Sequence, residues 1–228
     1  MRTLFTTLLL SFLCTCATAQ MEIGFRSGYG FSNLRADQEL DIVADQFSSA
    51  STLSAGVFAV IPLSEHFSFR PGLEINRRGT SLALTENVDV FGVNLPFGAA
   101  AKTRFTYVDV PLLFEAKLPT GSTVQPYAFG GASLGYATSG NLRTTARAIV
   151  EFNLMTTDID LEAINYERFH VAAVGGLGVK AELSPGFSAF VEGRFEQSLT
   201  QPYDVPLLQA KTGFKGMNFG AGVAFALN

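Results

Sequence analysis

From His66 to Asn76 the sequence alternates with a period of two. Phe67, Phe69, Pro71, Leu73 and Ile75 fall on one face, and His66, Ser68, Arg70, Gly72, Glu74 and Asn76 on the other. The pattern returns at 187–197, where Phe187, Ala189, Val191 and Phe195 oppose Ser188, Glu192, Arg194 and Glu196. A period of two is that of a β-strand, and a purely apolar face requires a low-dielectric neighbour along its length. That neighbour is a protein core or a hydrocarbon layer, and the choice decides what kind of protein this is.

The first residues bear on the compartment. Arg2, the apolar stretch Leu4 to Leu13 and the small residues Ala17-Thr18-Ala19 have the order of a cleaved export signal, too short to span a membrane as a helix. Residues 1–19 are therefore expected to be removed, leaving one domain over 20–228. A lipoprotein reading through Leu13-Cys14-Thr15-Cys16 stands as the alternative, although its spacer fits a lipobox poorly. Cys14 and Cys16 are the only cysteines, so residues 20–228 fold without disulfides or thiolate metal sites. The formal charge is −4 and the acidity is spread along the chain, which argues against nucleic acid as a partner. With 47% hydrophobic and only 16% charged residues, the surface has too little charge for an ordinary secreted soluble β-protein.

Eight strand-like segments are expected: 22–34, 52–63, from 67, 104–118, 124–137, 168–183, from 187, and 214–227. Most reach the roughly 9–11 residues a tilted strand needs to cross a bilayer. Long and short connections alternate without exception. Residues 35–51, 78–103, 138–167 and 199–213 are long, whereas 64–66, 119–123 and 184–186 are short. An up-and-down barrel with short periplasmic turns and long extracellular loops has this rhythm. The face opposite the apolar one mixes Gly, Ser and Ala with charges of both signs: Glu22, Arg26, Arg70, Glu74, Asp109, Glu115, Lys117, Lys180, Glu182, Glu192, Arg194 and Glu196. Such a set can neutralise itself inside a narrow lumen, whereas one Arg or Lys at the lipid midplane costs about 2–4 kcal/mol. Tyr29, Phe31, Phe67, Phe105, Phe187, Phe214 and Phe225 fall near strand ends and are candidates for interfacial girdles. The competing reading is a secreted soluble barrel or sandwich with its apolar face inside.

At this point the chain resembles the PorT-like outer-membrane β-barrels of Gram-negative bacteria. Tyr107-Val108-Asp109-Val110-Pro111-Leu112-Leu113-Phe114-Glu115-Ala116-Lys117 is similar to that family's "IPLL" strand ending in a basic residue. Pro126-Tyr127-Ala128-Phe129-Gly130-Gly131-Ala132-Ser133-Leu134-Gly135-Tyr136 resembles the glycine-rich strand that follows it, and Ile23-Gly24-Phe25-Arg26-Ser27-Gly28-Tyr29-Gly30 the first strand. The ending Phe225-Ala226-Leu227-Asn228 departs from the terminal aromatic common in barrel assembly signals. The resemblance implies an outer-membrane barrel, without an activity or site residues, in a family named for a component of a protein-secretion system.

Chemistry has few candidates. Eight strands leave an interior just wide enough for side chains to fill, so the charged lumen reads as a salt-bridged plug; its functional counterpart is a narrow gated ion or proton path. His66 and His170 are the only histidines. His170, with Glu167 close in sequence, is the one plausible base for surface lipid chemistry of the Ser/His kind. No metal-ligand spacing or phosphate loop is present, and no cofactor is expected. The acidic groups Asp37, Glu39, Asp41 and Asp45, and Glu151, Asp158, Asp160 and Glu162, read as solvated loop charge or weak calcium ligands. The expectation is thus an eight-stranded antiparallel barrel in an outer membrane: a non-enzymatic monomer in contact with outer-membrane lipid, offering its extracellular loops to an envelope protein partner. The alternatives are a small-solute or ion channel and a lipid-modifying enzyme.

Overall fold

The computed structural model describes residues 21–35, 47–90, 93–120, 122–147, 151–163, 166–200 and 213–227. The expected signal segment and the acidic group Asp37 to Asp45 lie outside the described residues. Nine strands are present: β1 (Glu22–Arg35), β2 (Phe47–Pro62), β3 (Phe67–Val90), β4 (Val93–Lys117), β5 (Val124–Arg147), β6 (Glu151–Ile159), β7 (Phe169–Ser184), β8 (Phe187–Ser198) and β9 (Gly213–Ala226). Every pairing is antiparallel, and the order β4-β3-β2-β1-β9-β8-β7-β5 is closed by β4 pairing with β5. Eight strands therefore form a closed barrel. β6 stands outside that count: it joins β5 only above the level where β7 leaves it, from Gly140↔Ile159 to Arg147↔Glu151.

Closure is what an amphipathic sheet of this length requires in hydrocarbon, where an open edge would leave backbone N–H and C=O groups without water. The two faces sort as the pleat dictates. Phe25, Tyr29, Leu73, Ile75, Phe114, Leu177, Val191 and Phe219 point outward and are exposed, while Arg26, Arg70, Glu74, Asp109, Glu192 and Arg194 point inward and are buried. The short connections are tight. At the β7–β8 turn Gly186 has φ 76°, a backbone conformation that costs glycine nothing.

Three expected connections are shorter than the alternation suggested. Residues 78–103, read as a loop, form an unbroken hairpin in which β3 and β4 stay paired up to Val90↔Val93. Residues 138–167 contain the upper part of β5 and all of β6, and β2 begins at Phe47 inside the expected 35–51 loop. Bilayer crossing needs only about 9–11 residues, but β3 has 24, β4 25 and β5 24. These three strands, joined by β6, therefore stand as a sheet well outside the membrane on the side of the long connections. Where β4 and β5 leave the barrel, the pairing slips between Thr106 and Tyr107, and Thr138 becomes an extra residue whose Oγ1 donates to the Thr106 carbonyl at 3.1 Å. Such a bulge bends a strand and increases its twist.

Candidate functional site

The lumen is built in layers, beginning at the short-turn end. There Glu22, Lys117, Lys180, Ser122, Thr123, Gln125 and Ser188 line a vestibule of about 310 Å³, with Lys180 paired to Glu22. Glu182 also borders it but is exposed, and neither it nor Lys117 makes an ion pair among the described residues. Above the vestibule lies an apolar collar of Phe58, Val60, Leu113, Tyr127, Phe129, Val174 and Phe190. Phe58 from β2 and Phe190 from β8 meet edge to face across the lumen, with ring centroids 5.5 Å apart. The collar rings fit because the residues paired beside them on the neighbouring strand are glycines: a Cβ on Gly24 would lie 2.2 Å from Phe58, and one on Gly178 2.3 Å from Tyr127.

The central layer is ionic. Glu192 is its hub: Oε1 accepts from Arg26 Nε at 2.6 Å, and Oε2 accepts from Arg70 Nη2 and Tyr127 Oη, each at 2.9 Å. Arg70 Nη1 also donates to Glu115 at 3.3 Å, and its guanidinium lies 4.6 Å from the Phe129 ring centroid. Arg194 holds Glu74 in a two-toothed grip at 2.7 and 3.0 Å and comes within 3.8 Å of Glu192. Arg26 reaches further, to Ser54 Oγ at 2.9 Å and Asn218 Oδ1 at 2.6 Å. One level higher, Arg78 donates to Asp109 at 2.7 and 3.3 Å and to Glu196 at 2.9 Å.

Of the twelve charged positions expected in the lumen, six form the central cluster: Arg26, Arg70, Glu74, Glu115, Glu192 and Arg194. Asp109 and Glu196 each pair with Arg78 in the upper layer, and Glu22 pairs with Lys180 in the lower. Lys117 and Glu182 belong to the vestibule and not to the paired core. That set held five cations against seven anions. The cation it lacked is Arg78, which sequence reasoning had placed in a loop; the regular alternation of Glu74, Asn76 and Arg78 was the signal that it still faces inward.

Two expected girdle residues also point inward. Phe105 and Phe214 are buried with Tyr107, Ala137, Leu161 and Tyr166 in a second apolar layer at the end of the barrel that carries the long connections. His170 is likewise buried in the lumen wall and not on the lipid face. Its Nε2 is 2.7 Å from Ser198 Oγ, which also accepts the Phe214 N–H at 3.0 Å, so the imidazole ties β7 to β8 and β9. Asp160, one of the third-loop acids, accepts the N–H groups of Glu162 and Ala163 and so closes a turn. Among the described residues no group of His, Cys, Asp and Glu has the arrangement of a metal site.

The free space left between these layers is small. A cavity of about 10 Å³ lies beside Arg70, Glu115, Phe58 and Phe190, and one of about 30 Å³ beside Asn76, Arg78, Thr52, Ser32 and Asn218. The second has room for about one water molecule.

Residues 17–203 match the family model described as "Outer membrane protein beta-barrel domain". The chain belongs to that family. Its fold and membership place it in the outer membrane, with the exposed apolar belt against lipid. Among solved structures it is similar to Ail, the attachment invasion locus protein of Yersinia pestis, at 12% identity over 90% of this chain and 99% of that one, with a TM-score of 0.40. It is also similar to OprG from Pseudomonas aeruginosa, at 11% identity over 92% and 97% with a TM-score of 0.45. Neisserial surface protein A matches at 12% identity over 90% and 97%, with a TM-score of 0.38. No curated protein matches the sequence.

Proposed function

We propose that this barrel is a closed, non-enzymatic scaffold whose work is done outside the membrane, where the sheet of β3, β4, β5 and β6 offers an envelope or surface protein a rigid platform. The observation that carries this reading is the filled lumen. Two apolar layers and a paired ionic layer cross it, and the cavities between them measure about 30 and 10 Å³. A diffusion pore needs a continuous open path, and buried side chains cross this lumen at three levels. Recognition is instead favoured on projecting segments held by a rigid frame. A role accessory to a secretion or envelope complex is the form of this reading that the PorT-like resemblance suggests. On this reading residues 1–19 are the export signal, and the ten paired lumen charges with Arg78 hold the barrel shut.

The test is electrical and then genetic. Purified protein in planar bilayers is expected to show no steady conductance. Shortening the β3–β4 hairpin above Gly79 is expected to abolish its biological role while leaving a folded, heat-modifiable barrel. A stable open-pore current from the wild-type protein would overturn the scaffold reading in favour of a channel.

A further inference from the structure

Arginines on the two faces of the barrel wall have different surroundings. Arg26, Arg70, Arg78 and Arg194 point inward, and each is paired with a carboxylate. Arg77 and Arg104 point the other way. On β3 Arg77 is exposed between buried Asn76 and buried Arg78, and on β4 Arg104 precedes buried Phe105. Among the described residues neither of them is in an ion pair, and Arg104 Nε is buried without a hydrogen-bond partner.

The apolar belt sets their height. The outward positions of β3 are apolar from Phe67 to Ile75, and Arg77 is the next one up. On β4 they are apolar from Ala116 to Val108, and Thr106 and Arg104 follow. Each apolar run matches the roughly 9–11 residues that a crossing needs, so both guanidinium groups stand at headgroup level, at the foot of the projecting sheet. The register makes them neighbours. Arg77 pairs with Thr106 and Gly79 with Arg104, so the two arginines are diagonal neighbours on one face, about 7–8 Å apart. A Cβ on Gly79 would lie 3.3 Å from Arg104 Cγ, so the Arg104 stem covers that position. On β5, Ser139 pairs with Thr106 and Asn141 with Arg104, which adds a hydroxyl and an amide to the same face, and Arg143 is its next outward position. Asp158, the carboxylate that shares this face on β6, pairs with Asn141 and stands two strands from Arg104.

Two guanidinium groups without a carboxylate partner, directly above an apolar wall, suit an anion that carries hydrocarbon. A guanidinium meets a phosphate with two parallel hydrogen bonds, and its weak hydration suits the edge of a bilayer. The hydroxyl and amide groups beside them suit a sugar rather than a bare glycerol. We propose that Arg77 and Arg104 seat the phosphate of a membrane glycolipid, whose acyl chains lie on Leu73, Ile75, Val108 and Val110 below and whose sugar meets Thr106, Ser139 and Asn141. A lipid held there braces the foot of the sheet formed by β3, β4, β5 and β6. The proposal rests on the long connections facing outward, toward the leaflet that holds phosphorylated glycolipid, and not on the closed lumen, so its failure would leave the scaffold reading and its conductance test untouched.

Native mass spectrometry of the barrel, purified from membranes in neutral detergent, tests each part. The probes are diphosphoryl lipid A, the same lipid with both phosphates removed, and phosphatidylglycerol. The wild-type protein is expected to retain one diphosphoryl lipid A, and to bind the other two at least about tenfold more weakly. This comparison needs no variant, so it stands even where a substitution hinders folding. Combining Arg77→Gln with Arg104→Gln should weaken binding of diphosphoryl lipid A by about tenfold or more while leaving a heat-modifiable barrel. Lys215→Gln is the control: Lys215 is an exposed outward cation on β9, held 5.5 Å over the Phe195 ring, and its loss should leave binding unchanged. Inorganic phosphate in excess should not displace the lipid. Unchanged binding in the double variant, or an equal loss with Lys215→Gln, would overturn the seat. Equal retention of the dephosphorylated lipid would overturn the phosphate contact, equal retention of phosphatidylglycerol the glycolipid, and displacement by inorganic phosphate the need for a lipid.

Discussion

Neutralising Glu192 is expected to be among the most damaging single-atom changes available to this barrel. Its side chain has no exposed surface, and three guanidinium groups crowd it: Arg26 at 2.6 Å, Arg70 at 2.9 Å and Arg194 at 3.8 Å. At an effective dielectric constant of about 20, a single pair of unit charges 4 Å apart interacts by about 4 kcal/mol, and that attraction is offset by the cost of taking the charges out of water. Glu192→Gln keeps the shape, removes the charge and turns an NH₂ group toward donors, leaving Arg26 and Arg70 short of a counter-charge in a sealed lumen. Breaking a buried pair from one side costs about 3–5 kcal/mol, and that is the loss expected here. The sequence contains no Trp, so urea unfolding is best followed by far-UV circular dichroism in detergent, with migration on unboiled gels as the second readout. Glu182→Gln, exposed at the vestibule, serves as the control and should change stability by less than about 0.5 kcal/mol. Removing Arg26 as well should restore part of the loss, since the two groups share one network. A Glu192→Gln barrel within about 1 kcal/mol of wild type would show that the central layer does not depend on its hub.

Gly178→Ala is expected to cost about 1–3 kcal/mol through overpacking, because the new methyl would meet the Tyr127 ring at 2.3 Å; the same unfolding titration measures it. Leu177→Arg, on the lipid face where Leu177 is 69% exposed, should cost about 2–4 kcal/mol if it lies near the midplane and should reduce assembly in liposomes. His170→Ala is expected to lose about 1–3 kcal/mol from the Ser198 bond and the packing beside Tyr107. It should leave the lipid A and phospholipid profile by mass spectrometry unchanged. An altered lipid profile on overexpression that His170→Ala abolishes would reinstate the enzyme reading.

How much of the barrel was legible in the sequence can be seen along β3. From Phe67 to Asn76 the odd-numbered positions are apolar and the even-numbered ones mostly polar. Beyond Thr80 the alternation persists with its phase reversed: Leu82, Leu84, Val88 and Val90 are now even-numbered, and Ser81, Thr85, Asn87 and Asp89 odd. The pairing with β4 runs through this change without a slip. Outside hydrocarbon, lipid no longer selects apolar residues on the outer face, so the phase that marks a membrane strand need not continue. Read only for the lipid pattern, the same residues pass for loop. The girdle assignment of Phe105 failed for a related reason. The bulge at Thr138 and the insertion of Tyr166 make its inward side apolar, and neither is visible in local periodicity.

The sequence by itself determined the strand faces and the presence of two signs of charge in the interior. These follow from the pleat, which sends neighbouring residues to opposite faces whatever the strands pair with. The tertiary structure alone decided which charges meet. Arg26 and Glu192 are separated by 166 positions, Arg194 and Glu74 by 120, and Arg78 and Glu196 by 118. They come together only when closing the barrel brings β1, β3 and β8 around one narrow lumen. The glycines beside the collar rings and the burial of Leu161 and Tyr166 with Phe105 and Tyr107 have the same origin. Each is a fit between segments distant in sequence, so it is fixed by the circumference and stagger of the closed sheet and not by any run of residues.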